Sequence, residues 1–241
     1  EAGSVERGNT VCDNDPQEKA VGHSLRMAVA HIDTAMPDLT PVRIHVIDTP
    51  GGPDYVGQAL SALDAVKSVA VVVDATKGIE LMTRRVIVVN KIDAPDINLH
   101  ELLDELKEAF GDGVLPINLP TKGCTRVIDC FDKDSGESDI MTVSDVHRAF
   151  IERVVEVDDE TMEKYLEEGD VDPSTLHGPV TKALREAHVI PVCFTSAKNL
   201  IGIRDFMKVI IRHLPSPSEA NDAQFIDKEG APYQAQPDKT L

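Results

Sequence analysis

Residues 86–93 read Val-Ile-Val-Val-Asn-Lys-Ile-Asp, and residues 43–51 read Arg-Ile-His-Val-Ile-Asp-Thr-Pro-Gly. In each, an apolar run predicts a buried strand and polar residues follow where the strand ends. The carboxyl rim of such strands is where open α/β sheets bind ligands. Asp48-Thr49-Pro50-Gly51 offers a carboxylate and backbone N–H groups on a turn. Asn90-Lys91-Ile92-Asp93 offers an amide, a long methylene stem and a second carboxylate. Together they suit a nucleotide, with magnesium and phosphate at one end and guanine at the other.

Outward from these runs, strand and helix patterns alternate, which places the chain in the α/β class. Ser24 to Ile32 alternates as a half-buried strand and Arg43 to Asp48 is its expected antiparallel partner. Val56, Ala59, Leu60, Leu63 and Val66 fall at helical spacing, and Ser68 to Asp74 reads as a buried parallel strand. Leu99, Leu102, Leu103, Leu106 and Phe110 mark a helix closed by Gly111. Val189 to Thr195 predicts another buried strand, and Ile203, Phe206, Met207, Ile210 and Leu214 a helix ending before Pro215. Residues 1–23 read as a loop.

Two spacings stand out. Only eleven residues separate Asp74 from Val86, fewer than the dozen or more of a parallel crossover, so a crossover helix is expected to be missing. More than a hundred residues separate Asn90 from Thr195-Ser196-Ala197. The expected organisation is a core at 1–118 and 189–214, an inserted α+β subdomain at 119–188, and a linker at 215–241. The insertion is read as a strand at Thr125 to Phe131, an acidic loop, and helices near Ser144 to Val155, Asp159 to Glu168 and Pro173 to Ala187.

A net charge of −18 argues against extended contact with nucleic acid, which depends on Lys and Arg releasing counterions. There is no Trp and only 4% aromatic content, so base-stacking platforms are not expected either. No apolar run is long enough to span a bilayer and no signal pattern opens the chain, which predicts a cytoplasmic protein. Cys12, Cys124, Cys130 and Cys193 lack metal-ligand spacing and read as free thiols.

Guanine presents N1–H and N2–H₂ side by side, and the Asp93 carboxylate can accept both. Asn90 can tie its loop to a neighbour, Lys91 can lay its stem along the ring, and Ser196-Ala197 can offer a backbone N–H to O6. At the other end Asp48 can hold a magnesium-bound water, and the unobstructed Gly51 N–H can meet a terminal phosphate. Ser24 or Thr10 can bring a hydroxyl to the metal. No G-x-x-x-x-G-K-[ST] phosphate loop occurs among the 241 residues.

These residues resemble the translational GTPases, and within them elongation factor G. Glu18 to Leu25 resembles the end of the family's first switch segment; the two tetrads and Thr195-Ser196-Ala197 match its three later nucleotide motifs. The insertion matches the family's G′ subdomain. Gly3-Ser4-Val5 with Gly8 to Asp13 is similar to the divergent elongation-factor-G-like paralogues. The resemblance implies a P-loop-type, mostly parallel sheet with helices on both faces, and GTP/GDP with Mg²⁺ as ligands. It assigns Asp48 to the metal, Thr49, Pro50 and Gly51 to the phosphate turn, and Asn90, Lys91, Asp93, Ser196, Ala197 and Lys198 to the base. It further implies GTP hydrolysis on the ribosome by a monomer, with the stalk protein meeting the insertion. Gly52 stands where the family carries its catalytic histidine, and Val21-Gly22-His23-Ser24 replaces Arg-Gly-Ile-Thr. His23 and His45 are the candidate substitutes. Slow or absent hydrolysis by a GTP-sensing module is the alternative expectation.

Overall fold

The computed structural model describes residues 3–4, 7–36, 38–63, 65–66, 68–76, 86–168, 171, 175–214, 225–226 and 232–233. Its centre is a parallel sheet of β3 (Ala70–Asp74), β4 (Val86–Asn90), β8 (Ile190–Phe194) and β5 (Val114–Pro116), in that order. The β4 side chains alternate between two cores, as strand geometry requires. Ile87 and Val89 join Leu99, Leu102, Leu103 and Leu106 of α3 (Leu99–Phe110) on one face. Val86 and Val88 join α4 (Val143–Val155), α6 (His177–Arg185) and α7 (Ile203–His213) on the other. Helices on both faces explain why β4 and β8 read as unbroken apolar runs.

At the α3 amino end the Asn98 side chain accepts the Glu101 N–H, and at its carboxyl end Gly111 takes φ 91°. The Gly111 end is the one expected from the sequence, whereas the Asn98 cap, an equally local signal, was missed.

β1 (Ala28–Ala35) and β2 (Pro41–Asp48) form a separate antiparallel ribbon in the predicted partnership. The strand begins later than Ser24, for a tertiary reason. The Glu18 carboxylate accepts the Leu25 and Arg26 N–H groups at 2.8 and 2.9 Å, and Gln58 Oε1 accepts that of Met27 at 2.8 Å. Those donors cannot enter a ladder. The buried-strand expectation fails for β2, which is only partly covered; β1 is half-buried as expected, but Ala28 and Ala30 are on its covered side and Val29 is 72% exposed. Among the described residues the ribbon bonds to no strand of the parallel sheet. β3 is parallel to β4 as expected but is an edge strand, and Val72 stands 65% exposed. The crossover between them, residues 77–85, lies outside the described residues.

Residues 1–23 are not all loop. α1 (Pro16–Val21) starts with Asp15 as N-cap, Glu18 closing a capping box and Pro16 in the first turn, and ends at Gly22 with φ 76°. The Asp-Pro-x-Glu spacing carried that signal. A short 3₁₀ turn at Pro53–Tyr55 leads into α2 (Val56–Leu63).

Four strands escaped the sequence reading, two in the body and two in the segment read as a linker. β5 has three residues and ends in Pro116; β6 (Asn118–Thr121) has four and contains Pro120, and it pairs with β7 (Arg126–Asp129). Runs so short and interrupted by proline carry no readable period. Within 119–188, α4 packs against α6 and against α5 (Asp159–Glu168). Phe150, Ile151, Val154 and Leu184 share a core with Val86, Val88 and Cys193 of the sheet. In the tail, β9 (Phe225–Ile226) pairs with β10 (Pro232–Tyr233). All four cysteines are free, and burial pushes the Cys130 thiol up to about 12. Among the described residues no helix is long and apolar enough to cross a membrane.

Candidate functional site

β4 and β8 are neighbours, so their carboxyl ends deliver residues about a hundred positions apart to one rim. Ala197 N–H donates to Asn90 Oδ1 at 2.9 Å, and Ile92 N–H to the Thr195 carbonyl at 3.2 Å. Asn199 Nδ2 donates to Asp93 Oδ2 at 2.6 Å. Lys91, at φ 67°, sends Nζ to Asp74 Oδ2 at 2.6 Å. Burial works against ionisation of Asp74, yet Lys91 and Thr76 hold its carboxyl below the usual range. Ser196 is fully buried, whereas Lys91, Asp93, Ala197 and Lys198 are exposed on the rim. The structure thus brings Asn90, Asp93, Ser196 and Ala197 together.

The rim is anchored from below by a residue that the sequence reading missed. Asn118, 2% exposed, donates Nδ2 to the Phe194 carbonyl at 3.1 Å and accepts the Phe194 N–H at 2.7 Å. This two-point clamp holds β8 one residue before Thr195-Ser196-Ala197. Gly202 permits it: at φ 68°, a Cβ there would lie 2.3 Å from the Phe194 oxygen.

The other tetrad ends β2. Pro50 is buried, Asp48 and Thr49 are half-buried, and Gly51 is exposed with open space where a side chain would stand. An open cleft is lined by Asp13, Gly22, His23, Ser24, Gly51, Gly52 and Tyr55. Ser24 Oγ and Thr10 Oγ1 both donate to Asp13, at 3.0 and 2.7 Å, so the two candidate hydroxyls converge on one carboxylate. His23 lines the cleft and its Nδ1 lies 3.1 Å from its neighbour's carbonyl. His45 lies outside it, facing His31 across the ribbon with ring centres 6.3 Å apart. Gly3 and Gly8 have the spacing of a phosphate loop, but Asn9 occupies the lysine position and no helix begins there. A cavity also lies among Ile117, Phe131, Phe150 and Val209; no tetrad residue lines it.

Burial, then the nearby Asp13 and Glu18 charges, raise the Asp48 carboxyl above its ordinary range, partly offset by the Cys12 thiol donating to it. An oxygen-only set under negative potential suits Mg²⁺, which takes one or two carboxylates and completes its shell with water and phosphate. Among the described residues no three His, Cys, Asp or Glu converge to hold a metal ion by themselves.

A raised folded-state carboxyl contributes stability that is fully present below the unfolded value and is lost as pH rises through the folded one. Above the folded value, metal-free protein therefore carries the cost of an ionised Asp48. Asp48→Asn should raise the melting temperature in EDTA and, if Asp48 serves Mg²⁺, remove most of any stabilisation by Mg²⁺ with nucleotide. Thermal scans check both; a lower melting temperature in EDTA would contradict the assignment.

A parallel sheet with helices on both faces, and loops meeting at its carboxyl rim, is the architecture of a nucleotide-binding α/β domain. The elongation factor Tu GTP binding domain matches residues 1–216, and the chain belongs to that family. Within the family it is a divergent elongation-factor-G-like translational GTPase domain. It is 28% identical to the elongation factor G-like protein of Mycobacterium tuberculosis, over 96% of this chain and 35% of that protein. Elongation factor G of Fervidobacterium nodosum is 27% identical, over 98% of this chain and 38% of its own length. The mitochondrial ribosome-releasing factor 2 of Drosophila melanogaster is 27% identical, over 91% and 34%. A crystal structure from Thermus thermophilus superposes with a TM-score of 0.74 at 27% identity, covering 90% of this chain and 36% of that one. The chain therefore spans little more than a third of the length of the relatives it matches.

Proposed function

We propose that this chain is the GTP/GDP-binding domain of a cytoplasmic factor that works on the ribosome as a monomer and hydrolyses GTP there. The observation that carries the reading is the 2.9 Å bond from Ala197 N–H to Asn90, which brings Asp93 and Ser196-Ala197 to one rim. Asp93 accepts N1–H and N2–H₂ of guanine, Ala197 and Lys198 approach the base, and the Lys91 stem lies along the ring. Asp48 serves Mg²⁺ through water, Ser24 adds a hydroxyl, and Gly51 gives its N–H to the terminal phosphate on the Thr49-Pro50 turn. The ribosome enters through the names of the relatives, elongation factor G and ribosome-releasing factor 2.

Residues 119–188 serve in this reading as an inserted unit that shares a core with the sheet. The acidic α5, with Glu163, Glu167 and Glu168, repels nucleic acid and suits a basic or amphipathic partner helix, and the ribosomal stalk protein is the first partner to test for one.

One observation favours a second reading. Gly52 has no side chain to orient water, so a slow or non-hydrolysing GTP sensor fits it. Single-turnover GTP cleavage by the full-length protein, with and without ribosomes, tests the choice. Ribosome stimulation of about 10² or more, the scale of one restored catalytic contribution, supports the enzyme; an unchanged rate with retained GTP binding supports the sensor.

A further inference from the structure

We infer that Asn199 is a positioning residue that aims the Asp93 carboxylate at the base, an inference that rests on the guanine reading above. An aspartate turns easily about its last torsion, whose energy is broad and roughly two-fold. Two parallel acceptor bonds to guanine need that carboxylate in one plane. The Asn199 amide supplies the restraint, with Nδ2 2.6 Å from Asp93 Oδ2. Only the nitrogen can face an ionised carboxylate, which has no hydrogen to donate. Each carboxylate oxygen has two lone pairs, so the bond still leaves an acceptor on both oxygens.

Asn199 is exposed, but its backbone is anchored. Ser196 and Ile201 exchange backbone bonds at 2.9 and 3.0 Å, closing the loop at its base. The Asn199 N–H donates to Ser196 Oγ at 3.2 Å, and Ser196 is fully buried. Leu200 at φ 57° reverses the chain so that Asn199 stands at the loop's turn. The donor thus comes from the β8 side of the rim and the carboxylate from the β4 side. Base reading by Asp93 is thereby coupled to the loop that also carries Ala197.

The test uses full-length protein and competition by GTP, ITP and GDP against a fluorescent GDP. ITP lacks the 2-amino group, so the GTP-to-ITP affinity ratio reports the second carboxylate contact. Loss of one charge-assisted bond predicts about tenfold weaker GTP binding in Asn199→Ala, with ITP weakened less and the ratio narrowed. The GTP-to-GDP ratio stays unchanged, because the phosphate end is untouched. Asn199→Asp, which sets a like charge against Asp93, should lose more GTP affinity than Asn199→Ala. Equal loss of GTP and ITP would reduce Asn199 to a structural strut and overturn the inference. Unchanged or tighter GTP binding in Asn199→Ala would overturn it as well, the latter showing that Asn199 competes with the base. Asp93→Asn separates the two levels: if it switches base preference while Asn199→Ala leaves the ratio unmoved, the guanine reading stands and this inference falls. If Asp93→Asn switches nothing, both fall.

Discussion

Asp93→Asn should weaken GTP binding by on the order of 10² and improve the binding of xanthine nucleotides. The wild-type carboxylate accepts two donors from guanine; an amide accepts one and points its own N–H₂ at the other. Xanthine reverses the second partner, because its C2 carbonyl accepts where guanine donates. Asn199 helps the switch, since its Nδ2 orients the amide oxygen of the new residue as it orients Asp93 Oδ2. Competition of GTP, XTP and ATP in the full-length protein measures it. Wild-type protein that binds GTP and ATP equally would refute base selection by this rim.

Gly52→His should raise ribosome-stimulated GTP cleavage by about 10², the usual contribution of a group that positions water or stabilises charge. The backbone accepts the change: Gly52 has φ −75° and ψ 147°, a conformation open to any residue. A Cβ there would lie 3.2 Å from Tyr55 Cδ2, so the ring must give by a few tenths of an ångström. The new imidazole would enter the cleft that Ser24 and Gly51 line. Single-turnover rates with ribosomes measure the gain. A variant slower than wild type would show that this branch positions water by another geometry, and His23, already in the cleft, would be the next residue to replace.

Local chemistry was readable wherever neighbours in sequence are also neighbours in space. The β4 and β8 runs, the Gly111 end of α3 and the antiparallel partnership of β1 with β2 were read in this way. The capping box at Asp15 and Glu18 was equally local and simply went unread. Composition and the two tetrads likewise pointed to an acidic α/β chain with a nucleotide rim, because residue type alone determines which groups can accept from guanine or hold magnesium.

Other features required the assembled fold. Glu18 drew its donors from Leu25 and Arg26 and so delayed β1; Asn118 reached 76 positions to clamp Phe194; Asn199 reached 106 to hold Asp93. The order β3-β4-β8-β5 decides which loops share an edge, and a hydrogen bond depends on separation in space. Residue identity along the chain specifies the donors and acceptors; only strand order and helix packing decide which of them meet.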